Sequence, residues 1–597
     1  MTSGAVGAAV RAAAREVVGI AELRPGQAEA IEAVLERDTL AVLASGTGKT
    51  LIYTVAAKLI DGGTLVVSPT IALQHDQLRA LGRAGEKAAL LNATLGIRQR
   101  RAALADFAAG RLEFLLLAPE QLANDEVLAE LRGAPVSLVV VDEAHCVSDW
   151  GHDFRPDYLT LGSVVRSLGS PRLLALTATA SPRVREEVTR RLRMRDPAVV
   201  VRDADRPNIW LGVDLVGAEA AKRDELVRQV LLALHGEPDH EEVSDRPAHE
   251  PPRLPTGSGG VAPGGPGIVY AATHRRAEEL AALLRDNGVD AVHYHGGLSR
   301  TDREAAQDAF MTSKVDVIVA TSAFGMGVDK PDVRFVFHTE PPDSLDAYYQ
   351  EIGRAGRDGE PARAALFYLP SDLSLPRFFA GGSGPTVPQL TGVLEAVRAE
   401  GPVSRKTLAE STGLSAARIT AIINELEAAG AVRSGRDRRV SAGRARLDVP
   451  AAELAQAAAD RRELHRQYAK SAVEMVRTYA DSTDCRRRIV LELLGESHPN
   501  RCGHCDNCDR GESLDSADRP FAVGERVRHP EWGDGSVQTY EEGDRVVVLF
   551  DSAGYKTLAL QVVEGHHLLV PVTARTTKVR RETSTASAQI AHPSAQQ

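Results

Sequence analysis

The sequence predicts an α/β protein built from two parallel-sheet domains in tandem, followed by a winged-helix segment, a metal-binding module and a small β-barrel. Three observations carry this. Between residues 39 and 180, short runs rich in Val, Leu and Ile (TLAVLAS, TLVVSPT, FLLLAPE, SLVVVDE, RLLALTATA) alternate with longer stretches of helical period. The alternation restarts at 267 with GIVYAAT, AVHYHGG, DVIVATSA, VRFVFHTE and ARAALFYLP. Continuous apolar strands separated by helices belong to parallel sheets covered on both faces. After about residue 380 the pattern is helical until 500, and short strands with Gly turns then run from 521 to 570. A chain of 597 residues could not share one core, which fits several successive domains.

Composition excludes several classes. Charged residues make up 25% and the hydrophobic set 43%, the balance of a soluble globular protein. No run approaches the roughly 20 apolar residues of a membrane span, so no membrane partner is expected. The first 18 residues carry Arg and Glu at helical spacing, which predicts an amphipathic helix and not a secretory signal. The net charge of −10 repels phosphate, so any nucleic-acid contact must come from local basic patches. Five cysteines do not make a disulfide framework, and four of them crowd between 485 and 508, which points to the cytoplasm and a metal.

These readings give a domain plan. The first domain covers 1–203 and the second 204–382, with a Pro-, Gly- and acid-rich flexible insertion at 236–266. A winged-helix-like domain follows at 385–447, a metal module at 448–512, a barrel at 521–570 and a polar tail at 571–597.

LASGTGKT, residues 43–50, lies between an apolar strand and a helical segment, the setting of a phosphate loop. Gly46 and Gly48, flanking Thr47, let backbone N–H groups wrap the phosphates of ATP. Lys49 reaches the β- and γ-phosphates, and the Thr50 hydroxyl holds Mg²⁺. Leu43 stands where the strict pattern has its first glycine, and a plain Gly-rich turn is the competing reading. SLVVVDEAH ends a buried strand on Asp142 and Glu143, at the sheet edge where ligands bind. Asp142 is expected to hold Mg²⁺ through water, and Glu143 to orient and deprotonate the attacking water. His145 reads as a satisfied strand-end histidine.

The DEAH box with a phosphate loop upstream resembles superfamily 2 helicases. DEAHCVSDWGHDFRPDYLTLG (142–162), LRPGQ (23–27), VVSPTIALQHDQ (66–77), LALTATA (174–180), VATSAFGMGVDKPDVRFVFH (319–338) and YYQEIGRAGRDG (348–359) are similar to motifs of the RecQ-family DNA helicases. This resemblance, covering 19–380 nearly continuously, implies two RecA-like domains, ATP hydrolysis and 3′-to-5′ translocation on single-stranded DNA. It places Gln350, Arg354 and Arg357 opposite the γ-phosphate, with Arg357 as an arginine finger. It assigns adenine recognition to Arg24 and Gln27, with Ile20 where an aromatic often stacks and Asp149 where a Gln usually stands.

Trp150, Phe154 and Tyr158, four residues apart, would by themselves suggest core packing. With His152, Asp153 and Arg155 interleaved, and with the resemblance, they read as a loop that stacks on unpaired bases. Trp150, His152, Phe154 and Arg155 are thus the expected DNA contacts. The implied partners are single-stranded and tailed or forked duplex DNA, in a bacterial cytoplasm at the nucleoid, with repair or recombination as the setting. An RNA helicase and a non-catalytic, transcription-associated DNA-binding protein are the rival readings.

In the segment from 401, Ile419, Ile422, Ile423 and Leu426 make a core stripe after a Ser415 cap, and residues 430–446 carry six Arg against one Asp. A DNA-binding winged helix and a helical packing module both fit. Relatives usually place such a domain after the zinc module, so the order here is unusual. Cys485, Cys502, Cys505 and Cys508 have the form C-x16-C-x2-C-x2-C, a tetrahedral thiolate set for structural zinc, with His504 as a competing donor and Cys146 left as an inert thiol. Their flanks resemble the RecQ zinc module. Residues 521–563 resemble the Tudor-like terminal domain of UvrD-type helicases, which implies RNA polymerase or another protein as partner. A barrel that packs on its own chain or touches DNA is the alternative.

Overall fold

The computed structural model describes residues 3–19, 22–44, 46–92, 95–122, 124–148, 155–202, 205–235, 264–325, 330–373, 384–435, 439–443, 448–494, 496, 498, 501–511, 513, 520–521, 525–541 and 545–572. Most of the expected insertion, at 236–263, and the tail from 573 lie outside them. Among the described residues no helix is long and apolar enough to cross a membrane.

The first lobe is a seven-stranded sheet of β1 (Thr39–Leu43), β2 (Gly63–Val67), β3 (Ala88–Leu91), β4 (Phe114–Leu117), β5 (Val136–Val141), β6 (Arg172–Thr177) and β7 (Ala198–Arg202). All its pairings are parallel, in the order β3-β4-β2-β5-β6-β1-β7. Its central strands are buried on both faces, so two separate apolar clusters lie above and below the sheet. The helix Ser3–Val18 buries Val10, Ala13, Ala14 and Val17, the single stripe expected of an amphipathic helix.

The second lobe is a six-stranded parallel sheet of β8 (Ile209–Leu215), β9 (Gly267–Tyr270), β10 (Ala291–Tyr294), β11 (Val317–Ala320), β12 (Phe335–His338) and β13 (Ala362–Tyr368), in the order β10-β11-β9-β12-β13-β8. Three strands go beyond those the sequence predicts: β3, β7 and β8. Each lies at a sheet edge, where one margin is unpaired, and each keeps part of its length exposed.

Helices Val387–Glu400, Arg405–Thr412 and Ala416–Ala428 pack with β14 (Val403–Ser404), β15 (Val432–Ser434) and β16 (Arg439–Ala442), which pair antiparallel in the order β14-β16-β15. This is a winged helix. Ser415 accepts from the Arg418 N–H, and Ile419, Ile422, Ile423 and Leu426 are fully buried, as the sequence predicts. The 31-residue helix Ala451–Asp481 is about 47 Å long at 1.5 Å per residue. Its start (Ala451, Leu454, Ala455, Ala458) completes the winged-helix core, and its end (Val473, Met475, Val476, Tyr479) packs into the second lobe. Residues assigned from sequence to the metal module alone therefore serve two cores.

The terminal unit is a five-stranded antiparallel sheet of β17 (Arg526–His529), β18 (Gly533–Glu541), β19 (Arg545–Phe550), β20 (Gly554–Ala559) and β21 (Val570–Pro571), in the order β20-β19-β18-β17-β21. Among the described residues no ladder joins β20 to β21. The unit packs on its own chain, where Arg183 of the first lobe donates to the Phe550 and Asp551 carbonyls at 3.3 and 2.9 Å.

Candidate active site and metal centre

The phosphate loop leaves the end of β1 and feeds the helix Lys49–Leu59. Gly46 and Gly48 sit at φ 78° and 76°, a region that L side chains enter only with strain, so the tight wrap depends on glycine. Lys49 is the first helical residue, half-buried, with Thr50 after it. The Thr47 hydroxyl donates to the Ala44 carbonyl at 2.7 Å, pinning the loop to the strand. Gln27 is buried, donating to the Thr47 carbonyl at 2.5 Å and accepting from the Arg24 N–H at 3.0 Å. The expected adenine-recognition pair is thus tied directly to the phosphate loop.

Asp142 and Glu143 follow β5, two strands from β1 in the same sheet, with β6 between them. Asp142 is buried, and its carboxylate accepts from the Gln77 side chain at 2.6 Å and from the Glu143 N–H at 3.0 Å. Burial first, and then the charge of Glu143, push its pKa up to about 7, while Lys49 and these hydrogen bonds pull the other way. Glu143 holds φ 48°, a left-handed conformation costly for a side-chain-bearing residue. Its carboxylate lies 3.4 Å from His145 Nδ1, which is also 2.9 Å from the Thr177 hydroxyl at the end of β6. His145 is therefore a buried link between the acidic pair and the next strand, more than a passive strand-end residue. Gln77 went unsingled by sequence reasoning, although it closes the VVSPTIALQHDQ motif.

The second lobe meets the loop through Arg357. A Cβ at Gly46 would stand 3.0 Å from Arg357 Cγ, so the arginine stem lies against the phosphate loop. Arg354 is buried in the second lobe, its guanidinium donating to the Gly325 carbonyl. Gln350 is half-buried on the helix Leu345–Ile352. Arg206, also missed from sequence, donates to the carbonyls of Gly353, Ala355 and Gly356 at 3.1, 2.9 and 2.8 Å. Asn208 adds a 2.8 Å bond to Gly356. Together they fix the turn from which Arg357 projects.

Of the expected DNA contacts, Trp150, His152 and Phe154 lie outside the described residues, as do Ile20 and Asp149. Arg155 donates to the Pro69 carbonyl at 2.7 Å, joining the loop to the segment after β2. Tyr158 corrects the aromatic-stripe reading: it is fully buried, and its hydroxyl donates to the Asp142 carbonyl at 3.3 Å. It is a core prop beneath the acidic pair and offers no base-stacking face.

Cys485, Cys502, Cys505 and Cys508 converge with all four sulfurs within 4.8 Å of one another. The Cys502 to Cys508 distance of 3.9 Å matches the edge, about 3.8 Å, of a tetrahedron with zinc–sulfur bonds of about 2.3 Å. The His504 and Cys508 N–H groups point at the Cys502 and Cys505 sulfurs, at 3.3 and 3.5 Å, which favours thiolates. The donor set fits zinc with no open position. The module is welded to β8: Leu211 bridges Cys505, Val213 N–H donates to Asp506 at 3.1 Å, and buried Arg486 pairs with Asp506 at 3.0 Å.

Two parallel-sheet lobes, one bearing a phosphate loop and an acidic pair and the other an arginine laid on that loop, define the two-lobed helicase class of nucleotide-binding proteins. Residues 24–188 match the DEAD/DEAH box helicase family and 260–359 the helicase conserved C-terminal domain. Residues 448–509 match the RecQ zinc-binding family and 385–440 the MarR family. The chain belongs to the RecQ family of helicases. It is 40% identical over 360 residues to the probable ATP-dependent DNA helicase RecS of Bacillus subtilis, covering 60% of this chain and 66% of that one. It is 38% identical over 359 residues to the ATP-dependent DNA helicase RecQ of Pasteurella multocida (60% and 52% covered). Against RecQ of Bacillus subtilis, identity is 30% over 493 residues (82% and 65% covered). The chain thus spans about half to two thirds of the length of these curated relatives.

Proposed function

We propose that the chain is an ATP-dependent DNA helicase that moves 3′ to 5′ along single-stranded DNA and unwinds tailed or forked duplexes in the bacterial cytoplasm, at the nucleoid. The observation that carries this is Arg357 of the second lobe lying against Gly46 of the phosphate loop, which makes the nucleotide site a seam between lobes. Backbone N–H groups around Gly46, Thr47 and Gly48, with Lys49, hold the phosphates. Arg24 and Gln27 recognise adenine, and the Gln27 bond to Thr47 passes base occupancy to the loop. Thr50 and Asp142 would hold Mg²⁺, which neutralises phosphate charge; a buried carboxylate hard to ionise alone fits a divalent partner.

Glu143 takes the proton of the attacking water, and Arg357 stabilises the charge that develops on the transferred phosphoryl group. Gln350 completes the second-lobe wall, and Arg354 acts at one remove by holding Gly325. Hydrolysis loosens the seam, and repeated closure advances the strand. DNA as the track is supported by the relatives' names as ATP-dependent DNA helicases, and the polarity by the family resemblance. Trp150, His152, Phe154 and Arg155 contact unpaired bases and backbone in this reading, and the structural zinc shapes the second lobe. The terminal sheet presents its outward face to RNA polymerase or another protein.

The test is steady-state ATP hydrolysis alone, with single-stranded DNA, and with RNA of the same sequence. Strong stimulation by DNA supports the reading. Equal or greater stimulation by RNA makes it an RNA helicase, and no hydrolysis leaves a DNA-binding protein without catalysis.

A further inference from the structure

The second lobe carries a cluster of ligand-type side chains that the nucleotide chemistry does not use. The helix His274–Asp286 opens on His274, and Glu278 follows one turn later on the same helical face. The edge strand β10 supplies His293, and His295 stands two residues further, at the spacing that returns a strand to one face. A helix i, i+4 pair and a strand i, i+2 pair therefore point at each other across the edge of the sheet.

Three donor atoms converge there, two of them already in hydrogen-bond contact. His295 Nε2 lies 3.0 Å from Glu278 Oε1, and ligand atoms of Glu278, His293 and His295 all fall within 4.8 Å of one another. The 3.0 Å separation is close to the edge, about 3.3 Å, of a tetrahedron with bonds of about 2.0 Å to a first-row ion. The His274 ring lies over His295 with centroids 4.6 Å apart, and His293 lies 5.6 Å from His295. His295 is only 4% exposed, and its Nδ1 has no hydrogen-bond partner among the described residues. A Cβ at Gly297 would stand 2.9 Å from His274 Nδ1 and 3.2 Å from His295 Nδ1, so glycine there leaves these nitrogens their space.

We propose that Glu278, His293 and His295 form a second metal site for a divalent transition ion, zinc foremost, separate from the four-cysteine centre, with the stacked His274 ring walling it. Imidazoles with one carboxylate select Zn²⁺, Co²⁺, Ni²⁺ or Cu²⁺ over Mg²⁺ or Ca²⁺, which prefer all-oxygen shells. Bound there, the ion pins the start of the helix to β10, the outermost strand of the sheet.

The experiment uses the full chain with its cysteine centre already zinc-loaded, dialysed to constant metal content and titrated with Zn²⁺ by calorimetry. His293→Ala and Glu278→Gln are run in parallel, with circular dichroism to verify their fold. The expected total is two zinc ions per chain, the second weakened on the order of tenfold or more in each variant. Thermal stability should rise with added Zn²⁺ in the parent and not in the variants. Co²⁺ taken up at this site should give ligand-field bands without the thiolate-to-metal charge-transfer band of a cysteine site. One zinc per chain in the parent, or a second with unchanged affinity in both variants, overturns the proposal.

Discussion

Asp142 sits where burial, the neighbouring Glu143 and Lys49 compete over one proton. Because its folded-state pKa is raised, the folded chain binds more protons than the unfolded chain between the ordinary carboxylate range and about 7. The carboxyl's contribution to stability therefore falls as pH rises through that window, and a cation that binds the ionised form should restore it. The Mg²⁺ concentration giving half-maximal ATP turnover should accordingly fall between about pH 6 and about pH 8, and a flat profile would remove Asp142 from metal binding. Lys49→Ala and Glu143→Gln should each abolish turnover while leaving DNA binding, followed by anisotropy, largely intact. In the proposed role of stabilising transition-state charge, Arg357→Ala should lower kcat by about 10³-fold with little change in KM. Lys49, Asp142, Glu143 and Arg357 were legible in the sequence because short motifs carry them. Gln77, Arg206 and the bond of Arg354 to Gly325 were not, because each depends on a contact distant in sequence.

At the scale of elements, the zinc module is bound to β8 through Leu211, Val213 and Asp506, and Arg487 donates to Asp205 and to the Ile209 carbonyl at 2.6 and 2.5 Å. Arg206, between those two residues, holds the turn that carries Arg357. Loss of zinc, which removes metal-binding energy on the order of 10 kcal/mol, should thus reach the nucleotide seam. Cys505→Ser should reduce zinc content, lower the melting temperature and depress ATP turnover together; normal turnover in a zinc-depleted chain would break this link. The winged-helix stripe was predictable because four apolar residues repeat at helical period behind a serine cap. The edge strands β3, β7 and β8 were not, because a short apolar run such as AALL or AVVV does not by itself distinguish a strand from a helical segment.

Across the whole molecule, the terminal sheet touches both the first lobe and the long helix. Arg183, on the helix Pro182–Arg191 of the first lobe, donates to the β19–β20 turn, and burial lowers its pKa. On the other side the Tyr555 N–H donates to Ser471 at 3.2 Å, and Tyr555 lies 6.4 Å from Tyr468 on the long helix. Apart from the sheet, Arg185 ties the first lobe to the zinc module by a 3.0 Å bond to the Leu494 carbonyl. The sheet itself bridges the first lobe and the strut that leads into the second. Arg183→Ala should cost about 1–3 kcal/mol at this contact and speed hydrogen exchange in 545–559, with the nucleotide cleft unaltered. Unchanged exchange there would show that the sheet is held elsewhere.

The sequence by itself determined the two parallel-sheet lobes, the phosphate loop, the acidic pair, the four-cysteine centre and the winged helix. All are written in local periodicity or in ligand types at short spacing, and local chemistry specifies them before the chain folds. Only the tertiary structure decided that Tyr158 is a core prop, that Arg357 lies on Gly46, and that the terminal sheet joins the first lobe to the long helix. It alone brought His274 and Glu278 to His293 and His295. These outcomes depend on which surfaces meet once separate cores have formed, and residues far apart in the chain acquire their distance only then.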